Sequence, residues 1–83
     1  MHTSIPSPVL LTEERRKAFL KKVGINLKAA RLRANFEKQT EAAQAIGCYH
    51  DRISRAEAGK DIRISDLFEY AIAYGCDIKR FFD

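Results

Sequence analysis

The stretch from Gln39 to Lys60, QTEAAQAIGCYHDRISRAEAGK, decides the fold. Ala42, Ala43 and Ile46 fall at three- and four-residue steps, so residues 38–46 read as a helix with one apolar face. Gly47 ends it, because a tight helix end asks for a left-handed backbone that glycine adopts without steric cost. Residues 50–58 read as a second short helix that buries Ile53 and Ala56, with Gly59 after its end. Between the two lies a turn of three residues, Cys48 to His50.

Two short helices joined this way, with small Ala43 where they must cross, have the layout of a helix-turn-helix. In that motif the second helix lies in the DNA major groove.

Outward from this pair the rest of the chain also reads as helix. Upstream, Thr12 followed by Glu13 and Glu14 is a helix start, a hydroxyl cap with acids where the dipole favours them. Phe19, Val23, Leu27, Ala30 and Ala34 then recur as one buried face of a long first helix ending near Asn35. Gly24 interrupts that face, either as an interior glycine or as a joint between two helices. Downstream, Ser65 reads as the cap of a fourth helix that turns Leu67, Tyr70, Ala71 and Tyr74 inward and stops at Gly75. A last short helix over 77–82 plugs Ile78 and Phe81 into the core. No segment alternates with period two, so the expected class is all-α, with five helices over 12–83. Residues 1–11, with Ser4, Pro6, Ser7 and Pro8, read as an extended, flexible N-terminal arm.

Composition narrows the function. With 83 residues, 46% hydrophobic and 31% charged, the chain has room for one folded domain. The net charge is +4, and it is uneven: residues 12–38 hold nine basic and three acidic side chains, residues 39–83 six basic and eight acidic. A basic segment on a near-neutral body suits a polyanionic partner. No apolar run approaches the roughly 18 residues that cross a bilayer, and the N-terminus lacks the pattern of a secretion signal. Two cysteines, Cys48 and Cys76, make no disulfide scaffold, and with His2 and His50 they show no metal-ligand spacing. No nucleophile–base pair or phosphate-cradling loop is visible. The expectation is a cytoplasmic, non-enzymatic protein without cofactor or metal, nucleoid-associated when bound to DNA.

From Val23 to Phe82 the chain resembles the phage-repressor, Cro-like (Xre) helix-turn-helix family. Gly24-x-x-Leu27-Lys28-x-x-Arg31 is similar to the family's first helix, and Gln39-x-x-Ala42-Ala43-x-x-Ile46-Gly47 to its second. Ile53-Ser54-Arg55-Ala56-Glu57-x-Gly59-Lys60 resembles the third helix and the turn after it. Leu67-x-x-Tyr70-Ala71-x-Ala73-Tyr74-Gly75-Cys76-x-Ile78-x-x-Phe81-Phe82 resembles the closing pair. The chain departs from the pattern with Ala42 and Ala56 at positions where the family prefers larger side chains, a volume that Phe36 or Tyr49 is expected to refill. The turn before the second helix is one residue longer, and Tyr49 stands where Ser or Thr is frequent.

The resemblance implies a lambda-repressor-like domain that binds operator DNA. His50, Asp51, Ser54 and Arg55 are then the base-reading set: Arg55 can donate twice to guanine, and Asp51 can accept from cytosine N4. Gln39 matches the family's phosphate-contacting position, and Arg52, Lys60 and Tyr49 are further phosphate candidates. Arg31 and Glu57 match a structural ion pair between the first and third helices. The function expected is a transcriptional regulator, a repressor acting as a homodimer on a palindromic site, with Phe82, Tyr74 or the first helix as the dimer surface. The alternative is an interaction adaptor or antitoxin that uses the same fold to bind a protein.

Overall fold

A computed structural model describes the backbone of residues 8–83 and the side chains from Thr12 onward. Four α-helices follow one another, α1 (Pro8–Arg33), α2 (Gln39–Ile46), α3 (His50–Glu57) and α4 (Ile64–Tyr74), and a 3-10 turn, Ile78–Phe82, follows them. The described residues contain no strand. The class is all-α, with four α-helices: the expected fifth helix is a five-residue 3-10 turn, started by Asp77, whose side chain accepts from the Lys79 N–H at 3.0 Å.

α1 runs unbroken through Gly24 to Arg33 and begins four residues before Thr12. That corrects the reading of residues 8–11 as extended arm and of Thr12 as cap; residues 1–7 lie outside those described. The physical reason is that proline, a breaker inside a helix, suits its first turn, where no N–H partner is needed. α1 ends through Asn35, which takes a left-handed backbone with φ 71, while the Phe36 N–H bonds back to the Arg31 carbonyl at 3.1 Å. α4 starts at Ile64 with Arg63 at its cap position, so Ser65 sits inside the first turn rather than capping it.

The core forms where α1, α2, α3 and α4 converge, from Val23, Leu27 and Ala30, Ala42 and Ala43, Ile53 and Ala56, and Leu67, Tyr70, Ala71 and Tyr74, closed by Phe81. Tyr74 is thereby buried and is no dimer surface. Alanines dominate α2 and α3, and the missing volume comes from rings: Tyr70 stacks on Tyr74 at 6.1 Å, and Phe36 tilts against Tyr74 at 6.1 Å. Phe36 thus fills the space, whereas Tyr49 stays exposed. Phe19 is half exposed at the rim, stacked on Phe82 with ring centres 5.9 Å apart. No helix among the described residues is long and apolar enough to cross a membrane.

Candidate functional site

The α2–α3 pair is joined by Gly47, Cys48 and Tyr49. Gly47, at φ 86, takes the left-handed backbone that lets both its own N–H and that of Cys48 return to the Ala43 carbonyl, at 2.8 and 3.0 Å. Upstream, the Lys38 N–H donates to Glu41 Oε1 at 3.1 Å and closes the first turn of α2.

α3 is held from three sides. Ile53 and Ala56 bury its inner face. At its C-terminal end Glu57 accepts from Arg31 Nε and Nη2, at 2.7 and 3.1 Å. The same guanidinium donates through Nη1 to the carbonyls of Phe36 and Glu37, at 2.8 and 2.9 Å, so one cation ties α1, α3 and the loop before α2. The hydrogen bond it donates to Glu57 holds the Arg31 pKa above its ordinary value, against the opposing effect of burial. α1 itself passes so close to α3 that a Cβ on Gly24 would stand 2.6 Å from the Glu57 carbonyl oxygen. The third anchor is Arg52, whose Nη1 donates to Glu69 at 3.1 Å and lies 3.6 Å from Asp66, binding α3 to α4. Burial lowers the Arg52 pKa, and the acidic groups around it, Asp66 foremost, together outweigh that, so the net shift is upward.

What α3 leaves outward is the side carrying Asp51, His50 and Arg55, all exposed, with Ser54 half-buried beside them. His50 Nδ1 lies 3.9 Å from Asp51. Arg55 and Lys60 have side chains with no hydrogen bond or ion pair among the described residues. The four expected base-reading residues therefore share one segment, with Tyr49 exposed at its head.

The expected phosphate contacts divide. Lys60 is exposed and open. Gln39 is half-buried, and its Nε2 donates to Glu57 Oε1 at 3.0 Å, which leaves one amide N–H and the start of α2 for an anion. Arg52 is turned toward α4 by Asp66 and Glu69. Two features escaped the sequence reading. Arg63 is exposed at the head of α4, 3.8 Å from Asp66, and with Arg55 lines a cleft of about 550 Å³ between α3 and α4. Thr40 and Gln44 of α2 border a second cleft with Tyr49 and His50. Their signal was spacing: four residues apart, they share one polar stripe of α2 beside Ala43.

Cys48 is half-buried beside this surface, and burial pushes its thiol pKa up. A raised thiol is the less reactive form, which argues for a packing role. No group of three or more metal-ligating side chains occurs among the described residues. Compared with known proteins, the chain matches no family model, no curated protein and no solved structure.

Proposed function

We propose that the chain is a sequence-specific DNA-binding regulator, a repressor of the Cro-like helix-turn-helix type acting as a homodimer on a palindromic operator. The observation that carries this reading is the division of labour along α3. Ile53, Ala56, Glu57 and Arg52 are all spent on holding the helix, while His50, Asp51, Ser54 and Arg55 are left in one short segment. A helix fixed on one side and polar on the other suits insertion into a groove about 12 Å wide. Arg55 reads guanine, Asp51 selects cytosine and repels phosphate, and Ser54 and His50 complete the edge contacts. Lys60, Gln39 and Arg63 take phosphates, and Tyr49 contributes its hydroxyl.

The test is a gel-shift titration in salt against genomic fragments, followed by selection from a random DNA pool. The reading expects binding that weakens steeply with salt and a selected motif with two-fold symmetry. Binding that is flat in salt and indifferent to sequence overturns it. The second reading, a protein-binding adaptor or antitoxin, draws on the exposed Asp51, which lines the α3–α4 cleft together with Asp61, itself paired with Arg16 at 3.0 Å. It expects no selected motif.

A further inference from the structure

We infer that the outer face of α4 is the seat of a second copy of this chain, packed across a two-fold axis through Phe68. The inference supplies the dimer surface that the DNA-binding reading requires and rests on it only for the biological use of the dimer.

α4 is apolar on both sides. Its inner side buries Leu67, Tyr70, Ala71 and Tyr74, with the Asp66 carboxylate, held by Arg52, at its first turn. Its exposed residues are Ile64, Ser65, Phe68, Glu69 and Ile72, of which Ile64 is 78%, Phe68 60% and Ile72 65% exposed. A helix with an apolar stripe on each of two sides has a second face to cover, and here that layer is missing. The single charge among those five, Glu69, is already bound by Arg52 at 3.1 Å. The other large exposed apolar side chains among the described residues are accounted for or apart: Phe19 and Phe82 cover each other, Ile25 and Leu32 stand two turns apart on the basic first helix, and Tyr49 stands alone before α3.

The spacing identifies the occupant. Ile64, Phe68 and Ile72 form one ridge at four-residue steps, and the ridge reads the same in both directions about Phe68. A two-fold interface must be self-complementary. Laid antiparallel on itself, this ridge puts Phe68 on Phe68 of the second copy and Ile64 on its Ile72, with no charge buried. Ridges of this kind interlock at a crossing angle of about −50°. Beside the ridge, a hollow of about 230 Å³ between α2 and α4, lined by Ala45, Ile46, Ile72 and Ala73 with Glu69 at its edge, gives the opposing side chains room.

The size of the patch sets the strength. Three such side chains present on the order of 400 Å² per copy, about half of what each partner contributes to a standard stable interface. The free dimer is therefore weak, with a dissociation constant in the micromolar range or above. Two adjacent half-sites on DNA then strengthen it through effective concentration. Arg52 links α3 to Asp66 and Glu69 on either side of Phe68, so the axis carries the two α3 helices as a fixed pair.

Sedimentation equilibrium of the full chain, followed up to about 1 mM, tests this without DNA. The wild-type chain is expected to show a monomer–dimer equilibrium. Phe68→Glu should weaken it about tenfold or more, while Ile25→Glu, the same charge change on α1, should leave it unchanged; circular dichroism checks that both variants fold. A bis-maleimide linker should couple Phe68→Cys chains in a Cys48→Ser/Cys76→Ser background and leave Ile25→Cys chains uncoupled. A wild-type chain that stays monomeric throughout overturns the inference and leaves the ridge to a different protein. A dimer indifferent to Phe68→Glu overturns it too, by placing the contact elsewhere. The DNA reading fails separately: Phe68→Glu should keep affinity for a single half-site and lose only cooperative binding to the paired site, whereas loss of all binding by the wild-type dimer rejects the DNA reading alone.

Discussion

The Arg31 guanidinium meets the Glu57 carboxylate in two parallel hydrogen bonds, 2.7 and 3.1 Å long, with side chains only 4% and 6% exposed. A paired ion at this depth contributes modestly as a pair and strongly once broken, because the remaining charge is stranded. Arg31→Ala strands Glu57 and also removes the donors that hold the Phe36 and Glu37 carbonyls. The expected loss is about 3–5 kcal/mol in chemical denaturation. Arg31→Lys should recover little, since an ammonium cannot supply the fork. A midpoint unchanged in Arg31→Ala would show that the pair is not structural.

Gly24 gives a prediction whose sign helix propensity gets wrong. Alanine in a helix interior is better than glycine by about 1 kcal/mol. At this position a Cβ would stand 2.6 Å from the Glu57 carbonyl oxygen and 2.9 Å from that of Ala56, both backbone atoms. α1 must then back away from α3, at a cost of about 1–3 kcal/mol. Gly24→Ala should therefore lower the melting temperature; a rise would mean that the two helices have slack between them.

The same contacts explain how much of the fold was legible in the sequence. Val23, Leu27, Ala42, Ile53, Leu67 and Phe81 fall at helical spacing and are buried as that spacing implies, because periodicity records the inward face directly. Glycine and asparagine marked the helix ends for the same local reason. Pro8 misled because proline breaks a helix from inside it and begins one from its first turn, and the residue alone does not distinguish the two. Tyr49 and Phe36 were indistinguishable as core fillers, since which ring reaches the gap beside Ala42 depends on the path of the loop. The candidate site was legible as a segment with an exposed polar side, residues 49–60. The diversion of Arg52 was not, because Asp66 and Glu69 come to it only through the packing of α4. The ridge on α4 escaped because its inner face alone satisfied the helical pattern.

Two phenols make stability fall at high pH. Burial pushes Tyr70 and Tyr74 well above the ordinary tyrosine value. In the unfolded chain they ionise near pH 10, so above that pH the unfolded state holds fewer protons than the folded one and stability drops as pH rises. Each should contribute about 1.4 kcal/mol per pH unit between about pH 10 and 12, and nothing below pH 9. The Tyr70 hydroxyl is buried without a hydrogen-bond partner among the described residues. Tyr70→Phe should therefore remove one phenol's share of the alkaline slope, to which the buried Cys48 and Cys76 thiols also add, and leave stability at pH 7 equal or higher by up to about 1 kcal/mol. Denaturant midpoints at pH 7, 9, 10 and 11 measure both effects, and a loss at pH 7 would reveal a partner for the hydroxyl.

The arginines of α3 should separate in DNA binding. Arg55 is open, so Arg55→Ala should cost about 1–3 kcal/mol at the preferred site and relax the motif at one base position per half-site. Lys60→Ala should weaken all sequences alike and lower the salt slope by about one. Arg52→Ala should do neither. Its guanidinium is held by Glu69 at 3.1 Å and Asp66 at 3.6 Å, so it reaches a phosphate only by releasing both carboxylates. Its removal should instead cost about 1 kcal/mol of folding stability, as a partly exposed pair does. A salt slope that falls by a full unit in Arg52→Ala would mean that DNA wins the arginine from α4, and that the α3–α4 link opens on binding.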